Sequence, residues 1–176
     1  MLETLEYLKR ETDVWFEITM LLIPGENDGP AEIEALSCWI MDRLGPDVPL
    51  HFTAFRPDWK MTDKSATLPH TLRDPRRIVR AAGLRYVFTG NIHDPGEATY
   101  CHACQAVLIG RDWYDLTAWN VTADGRCGVC GTPCAGLFDS APGHWERWRR
   151  AVAVEAVASA GSPRAVASAS GSVTNH

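Results

Sequence analysis

The sequence has no long hydrophobic run. Its longest, Ile18 to Ile23, is six residues, against the ~20 needed to cross a bilayer. The first ten residues, MLETLEYLKR, lack the basic-then-apolar layout of a secretory signal. Excess positive charge is missing too: Lys and Arg number 17 against 22 Asp and Glu, a net charge of -5. A global field of that sign does not favour DNA or an anionic membrane as partner. There is no glycine-rich phosphate loop, no serine nucleophile elbow and no HExxH, which removes the commonest signatures of nucleotide, acyl-transfer and metalloprotease chemistry. No internal repeat is apparent. These absences point to the cytoplasm, where thiols stay reduced.

What the chain does have is clustered cysteine. Of six, only Cys38 stands apart; Cys101, Cys104, Cys127, Cys130 and Cys134 crowd one stretch. Two Cys-x-x-Cys pairs, Cys101/Cys104 and Cys127/Cys130, flank 22 residues of strand-and-turn character. Four thiolates at such spacing can close a tetrahedral shell around one zinc or iron ion. A closed shell has no open coordination position, so the expected role is structural. Gly131 after Cys130 lets the backbone turn toward sulfur, whereas Gln105 occupies that place after Cys104. Cys134 is expected to be a small residue beside the site, and Cys38 a core thiol of a helix.

Apolar content of 45% and charged content of 22% are ordinary for a globular chain of 176 residues. The periodicity predicts helices over 2–12, 30–44 and 71–82, alternating with strands over 14–23, 48–55 and 85–88. Strands alternating with helices of this length indicate a parallel α/β sheet. Its ligand edge would carry the loops 24–30, 55–69 and 89–97. Arg56, Lys60 and His93 stand on those loops as candidate ligand residues; Asn27-Asp28 reads as a turn. Short antiparallel strands are expected at 107–109 and 116–121. A helix is expected over 144–158, followed by a disordered Ala/Ser-rich tail. The Arg and Trp alternation in that helix, Trp145 to Arg150, is a weak candidate contact for RNA or a partner. The boundaries are thus 1–95, 96–140 and 141–176. The first helix has no capping residue before it, and three parallel strands leave both edges unpaired. Both features are expected of a piece of a larger unit.

Three stretches carry a resemblance: TDVWFEITMLLIPGENDG at 12–29, LGPDVPLHFTAFRPDWKM at 44–61 and AGLRYVFTGNIHDPGEATYCHAC at 82–104. With RDWYDLTAWNVTADGRCGVCG, they resemble the C-terminal part of a radical S-adenosylmethionine (SAM) enzyme of the AmmeMemoRadiSam system, a family similar to pyruvate formate-lyase activating enzymes. The resemblance covers residues 1–140. It implies that residues 1–95 are the later strands of a partial (β/α) barrel, capped by a zinc-ribbon or rubredoxin-like module. It also implies SAM at the strand C-termini, with Arg56, Asn91 and His93 as cofactor-binding residues, and a [4Fe–4S] cluster in the complete enzyme. The family's CxxxCxxC cluster motif has no counterpart here, Arg56 stands where relatives carry His, and relatives have an aliphatic residue at Cys134. The expected function is therefore SAM cleavage to a 5′-deoxyadenosyl radical only with the missing N-terminal half as partner. The alternative is a non-catalytic zinc-binding module that docks on a protein or RNA.

Overall fold

The structure, a computed structural model, describes residues 2–138 and 141–142. Two sheets are built in succession. The first comes from α1 (Leu2–Glu11), β1 (Ile18–Leu22), α2 (Pro30–Arg43), β2 (Leu50–Ala54), α3 (Pro69–Ala81) and β3 (Val87–Gly90). The second follows a short 3-10 turn at Pro95–Glu97 and comprises β4 (Thr99–Tyr100), β5 (Val107–Asp112) and β6 (Asp115–Trp119). The fold is mixed α/β.

Strands β1, β2 and β3 are parallel and lie in sequence order, with Ile18 opposite Leu50 and Leu50 opposite Val87. Proline opens both crossover helices at N1, where its missing N–H costs no helical bond. Crossovers between parallel strands are right-handed, so a sequential order brings α2 and α3 onto the same face. There Ile33, Ile40 and Leu44 of α2 and its C-terminus, with Leu72 and Val79 of α3, close over Leu22, Leu50, Phe52, Ala54 and Val87. Full burial of one such side chain contributes about 1.5–3 kcal/mol.

The alternation along the strands leaves the opposite face different in kind. His51, Thr53, Phe88 and Gly90 are half-buried, and Thr19 and Leu21 are exposed. Among the described residues, this face carries no helix. Its polar lining includes Glu17, which joins His51 Nε2 at 2.6 Å, while the His51 ring stacks on Phe88 at 4.8 Å.

The second sheet is antiparallel, in the order β4-β5-β6. Trp113 and Tyr114 form a two-residue turn between β5 and β6, and the pairing slips by one residue after Gly110. Its small core consists of Cys101, Leu108, Ile109, Val121, Cys127 and Cys134. The two sheets are fastened beyond the covalent link: Tyr86, just before β3, is buried and its hydroxyl accepts a 3.0 Å hydrogen bond from Ala135 N.

Several boundaries move. Residues 14–17 lie outside the ladder, because the first interstrand bond is Ile18 N to Pro49 O. The third strand begins at Val87 rather than Arg85, since Arg85 N donates to the Pro46 carbonyl and precedes the register with β2. Cys38 is exposed, not a core thiol. The buried α2 positions are Ile33, Ser37 and Ile40, and the next residue after Ser37 turns ~100° away from the sheet. The helix expected over 144–158 and the Ala/Ser tail lie outside the described residues. Among the described residues, no helix is long and apolar enough to cross a membrane.

Candidate metal centre and strand-end cavities

Two chain reversals bring the four cysteines together, and they are near copies of each other. In the first, Gln105 N donates to Cys101 O at 3.0 Å and Cys101 N to Ala106 O at 2.9 Å. In the second, Gly131 N donates to Cys127 O at 2.8 Å and Cys127 N to Thr132 O at 2.9 Å. The residue after each second cysteine lies in the left-handed region, Gln105 at φ 61° and Gly131 at φ 73°. The missing glycine thus does not spare the first loop the conformation; Gln105 adopts it against its own steric preference. Gln105 Nε2 also donates to His102 O at 3.1 Å, which braces the strained turn.

The four Sγ atoms lie within 4.8 Å of one another. Cys101 and Cys130 are 3.6 Å apart, Cys104 and Cys127 3.7 Å. Sulfurs bound tetrahedrally at about 2.3 Å from one ion are separated by about 3.8 Å. The donor set therefore fits a single zinc or iron ion. A cubane cluster carries each thiolate on a separate iron corner and would hold the sulfurs farther apart. Cys101 and Cys127 are buried, Cys104 and Cys130 exposed, so one edge of the shell faces the core and the other solvent.

The thiols differ in acidity. Thr132 is the main reason that Cys130 is pulled down to about 6: its hydroxyl oxygen lies 3.2 Å from the sulfur, and its N–H and the Cys104 thiol add to the effect. At Cys104 the Ala106 N–H acts downward, but hydrogen bonding to Cys130, burial, and the Cys101 and Cys127 thiols push it up to about 12. An ion that takes all four as thiolates must displace those protons, so affinity rises with pH. Cys134 is not among the four. It packs in the ribbon core, where burial raises its pKa.

Arg56 and Asn91 meet at one opening. A cavity of about 530 Å³ at the C-terminal ends of the parallel strands is lined by Leu21, Ala54, Phe55, Arg56, Asn91 and Trp113. Asn91 has φ 61° and its amide reaches the Ala54 carbonyl at 3.4 Å. His93 does not join them. It is exposed and sits 3.6 Å from Glu97 and 3.7 Å from Asp112. Lys60 lies over the exposed Trp59 ring, 4.4 Å from its centre. Asn27 and Asp28 bind the backbone of their own loop at Ile23 N and Gly25 N, as a turn reading requires.

A second cavity, about 250 Å³, opens on the helix-free face between Glu17, His51, Phe88, Arg111 and the Trp113–Tyr114 turn. Arg111 NH1 donates to Glu97 O at 3.1 Å and to Thr99 Oγ1 at 2.8 Å. Burial holds its pKa below the usual arginine value, with Glu17 and Glu97 acting the other way. The Glu17–His51 pair lowers the Glu17 pKa through its hydrogen bond. Sequence reading missed these three residues. Alternation would have placed Glu17 and His51 on one face, but their pairing across strands needs the register, and Arg111 belongs to the other sheet.

No protein-family model matches the chain, and no solved structure matches it. It is similar to an uncharacterized protein of Methanocaldococcus jannaschii, 37% identical over 134 residues. The match takes in 74% of this chain but 40% of that protein; the chain spans about two fifths of the length of the relative it matches.

Proposed function

We propose that the chain is the C-terminal part of a radical SAM activating-type enzyme. Residues 1–95 would supply the later strands of a (β/α) barrel and residues 96–140 a four-cysteine ribbon over its mouth. The supporting observation is the single-sided sheet: sequential parallel strands, helices on one face only among the described residues, and a polar, cavity-bearing face on the other. A doubly wound sheet would carry helices on both faces; a barrel wall carries them outside only.

The strand-end cavity suits SAM. Arg56 would face its carboxylate, Asn91 offers an amide, and the Trp113 indole presents an aromatic surface to the adenine. Trp113 comes from the ribbon, so the second sheet would help to shut the site against water. One-electron reduction of SAM by a [4Fe–4S] cluster in the complete enzyme would break its C5′–S bond and give methionine and a 5′-deoxyadenosyl radical. The four-cysteine set fits one ion and not that cluster, and no other cysteines here have CxxxCxxC spacing. The cluster ligands would come from outside these residues, from the N-terminal half of the complete enzyme or from a partner protein, within the cytoplasm.

The test is co-expression with a polypeptide carrying CxxxCxxC, followed by cluster reconstitution and assay of 5′-deoxyadenosine under reducing conditions. Product should require both polypeptides. Arg56→Ala should lower it about tenfold or more, the scale of a lost charge-assisted hydrogen bond. A well-folded, reconstituted complex that makes none would sink the proposal.

A second reading, a non-catalytic zinc module docking on a partner protein, draws on exposed apolar residues of the ribbon, Val129 and Leu137. It expects one zinc and no iron per chain, and a partner that binds wild type but not Val129→Asp, with no deoxyadenosine formed.

A further inference from the structure

On the helix side of the molecule, away from both strand-end cavities, α3 faces the 94–105 segment across an open groove of about 780 Å³. Four arginines of α3 line it: Arg73, Arg76, Arg77 and Arg80. The spacing i, i+3, i+4, i+7 puts them on one helix face over about 10 Å. The adjoining face, about 120° round the helix, holds the buried Leu72, Pro75 and Val79. Such a concentration of one sign is unexpected on a chain of net charge -5.

Asp94, the carboxylate that lines the groove among the described residues, does not balance it. Asp94 is buried and committed: it accepts from Arg73 Nε at 2.7 Å, Gly96 N at 2.9 Å and Thr89 Oγ1 at 3.2 Å. The floor beside it admits no side chain, since a Cβ on Gly96 would lie 2.3 Å from Thr89 Oγ1. Arg77 meets Asp74 only at the exposed rim, at 3.5 Å. Arg76 and Arg80 are held by neutral groups. Arg76 Nε donates to Val87 O at 2.9 Å, and Arg80 NH2 to Gln105 Oε1 at 2.7 Å. Each contact fixes a guanidinium and leaves its other donors pointing elsewhere. Burial, and then the charge of Arg80, lower the Arg76 pKa, and Tyr100 and Asp94, which act the other way, do not cancel them. Uncompensated like charges one turn apart cost stability in a free helix.

We infer that this groove binds a small-molecule anion bearing two or more linked phosphoryl groups, clamped by Arg76 and Arg80 with Arg77 at the rim. Planar guanidinium forks match phosphoryl oxygens two at a time. Adjacent forks one turn apart suit linked phosphoryl groups better than one isolated carboxylate. The volume is that of a small-ligand site, and Tyr100 and Gln105 leave room for an organic substituent on the far wall. This site does not use SAM chemistry, but its Gln105 wall belongs to the first cysteine loop, so its shape depends on the folded ribbon.

The test is calorimetric titration of the full chain with inorganic tripolyphosphate. A polyglutamate peptide and a short single-stranded RNA serve as parallel ligands. Tripolyphosphate should bind saturably at one site per chain and more tightly than either. Arg80→Glu should weaken it about ten- to hundredfold, and Arg80→Lys less, because a point charge replaces a fork. The Arg80 side chain hydrogen-bonds to Gln105 at the surface, and its variants should stay folded, as their melting temperatures would show; Arg77→Glu, at the exposed rim, provides a second folded variant and should also weaken binding. Absence of saturable binding, equal affinity in Arg80→Glu and Arg77→Glu, or tighter binding of the peptide or the RNA would overturn the inference.

Discussion

The two sheets are stabilised by different physics. The parallel sheet closes a core of twelve buried residues, all aliphatic, alanine or phenylalanine, beneath two helices. The antiparallel ribbon buries six, and three of those are cysteines. Its strands are two, six and five residues long, too little apolar surface to offset the entropy of ordering them. The first layer is held by burial and should persist without an ion. The second lacks that area and would need an ion at its four cysteines to persist. A metal ligand does for a small module what hydrophobic area does for a large one.

The largest effect that would break this contrast is at the cysteines. Cys101→Ser or Cys127→Ser should abolish the ion and unfold the ribbon, since structural zinc contributes roughly 10–16 kcal/mol in small finger domains. Elemental analysis should fall from one ion per chain to none, while hydrogen exchange at Leu50 to Ala54 stays protected. Loss of protection in β2 as well would show that the layers are a single cooperative unit. Next comes Phe52→Ala, in the middle of the parallel sheet and fully buried. It should cost about 3–5 kcal/mol by the cavity it leaves, read as a lower denaturation midpoint with metal content unchanged.

Between the two sits Asp94, whose carboxylate caps the 3-10 turn between the sheets. Burial alone would raise its pKa, but the Gly96 N–H, Arg73 and Thr89 outweigh it and hold it below the ordinary 3.8. A depressed folded value means that its contribution is fully present above 3.8 and fades as pH falls through the lower folded value. Asp94→Asn should therefore cost about 0.5–2 kcal/mol at neutral pH and flatten the acid limb of the stability curve. An unchanged acid limb would mean that the turn is held by other contacts. The smallest effect separates the two cysteine loops. Gly131→Ala should destabilise the ribbon by about 1 kcal/mol, and Gln105→Gly should relieve strain of similar size, offset by the bonds of Gln105 to His102 and Arg80. Chelator competition would reveal both as small, opposite shifts in metal affinity.

The parts legible in the sequence were those with a local signal. Alternating strand and helix patterns gave the parallel layer, and the two Cys-x-x-Cys pairs gave the metal set, because ligand spacing is a property of adjacent residues. What was not legible depended on phase or on distance. Cys38 was one helical position off the buried stripe. The strain at Gln105 was hidden because the residue favours no left-handed conformation of its own; the matching loop at Gly131 was the clue. Asp94 carries no local signal, because its partners Arg73 and Thr89 come from α3 and β3. The arginine face of α3 could be counted along the chain, but its groove exists only because the 94–105 segment folds back beside it.

The hydrogen bond from Ala135 to Tyr86 acquires a mechanical meaning. Cys130 is the last of the four candidate ligands, and Ala135 lies five residues beyond it. Tension applied to the chain from its C-terminal side reaches this clasp first, and the sulfurs only after the clasp has opened. The four candidate ligands are thereby shielded from whatever tugs on the residues that follow.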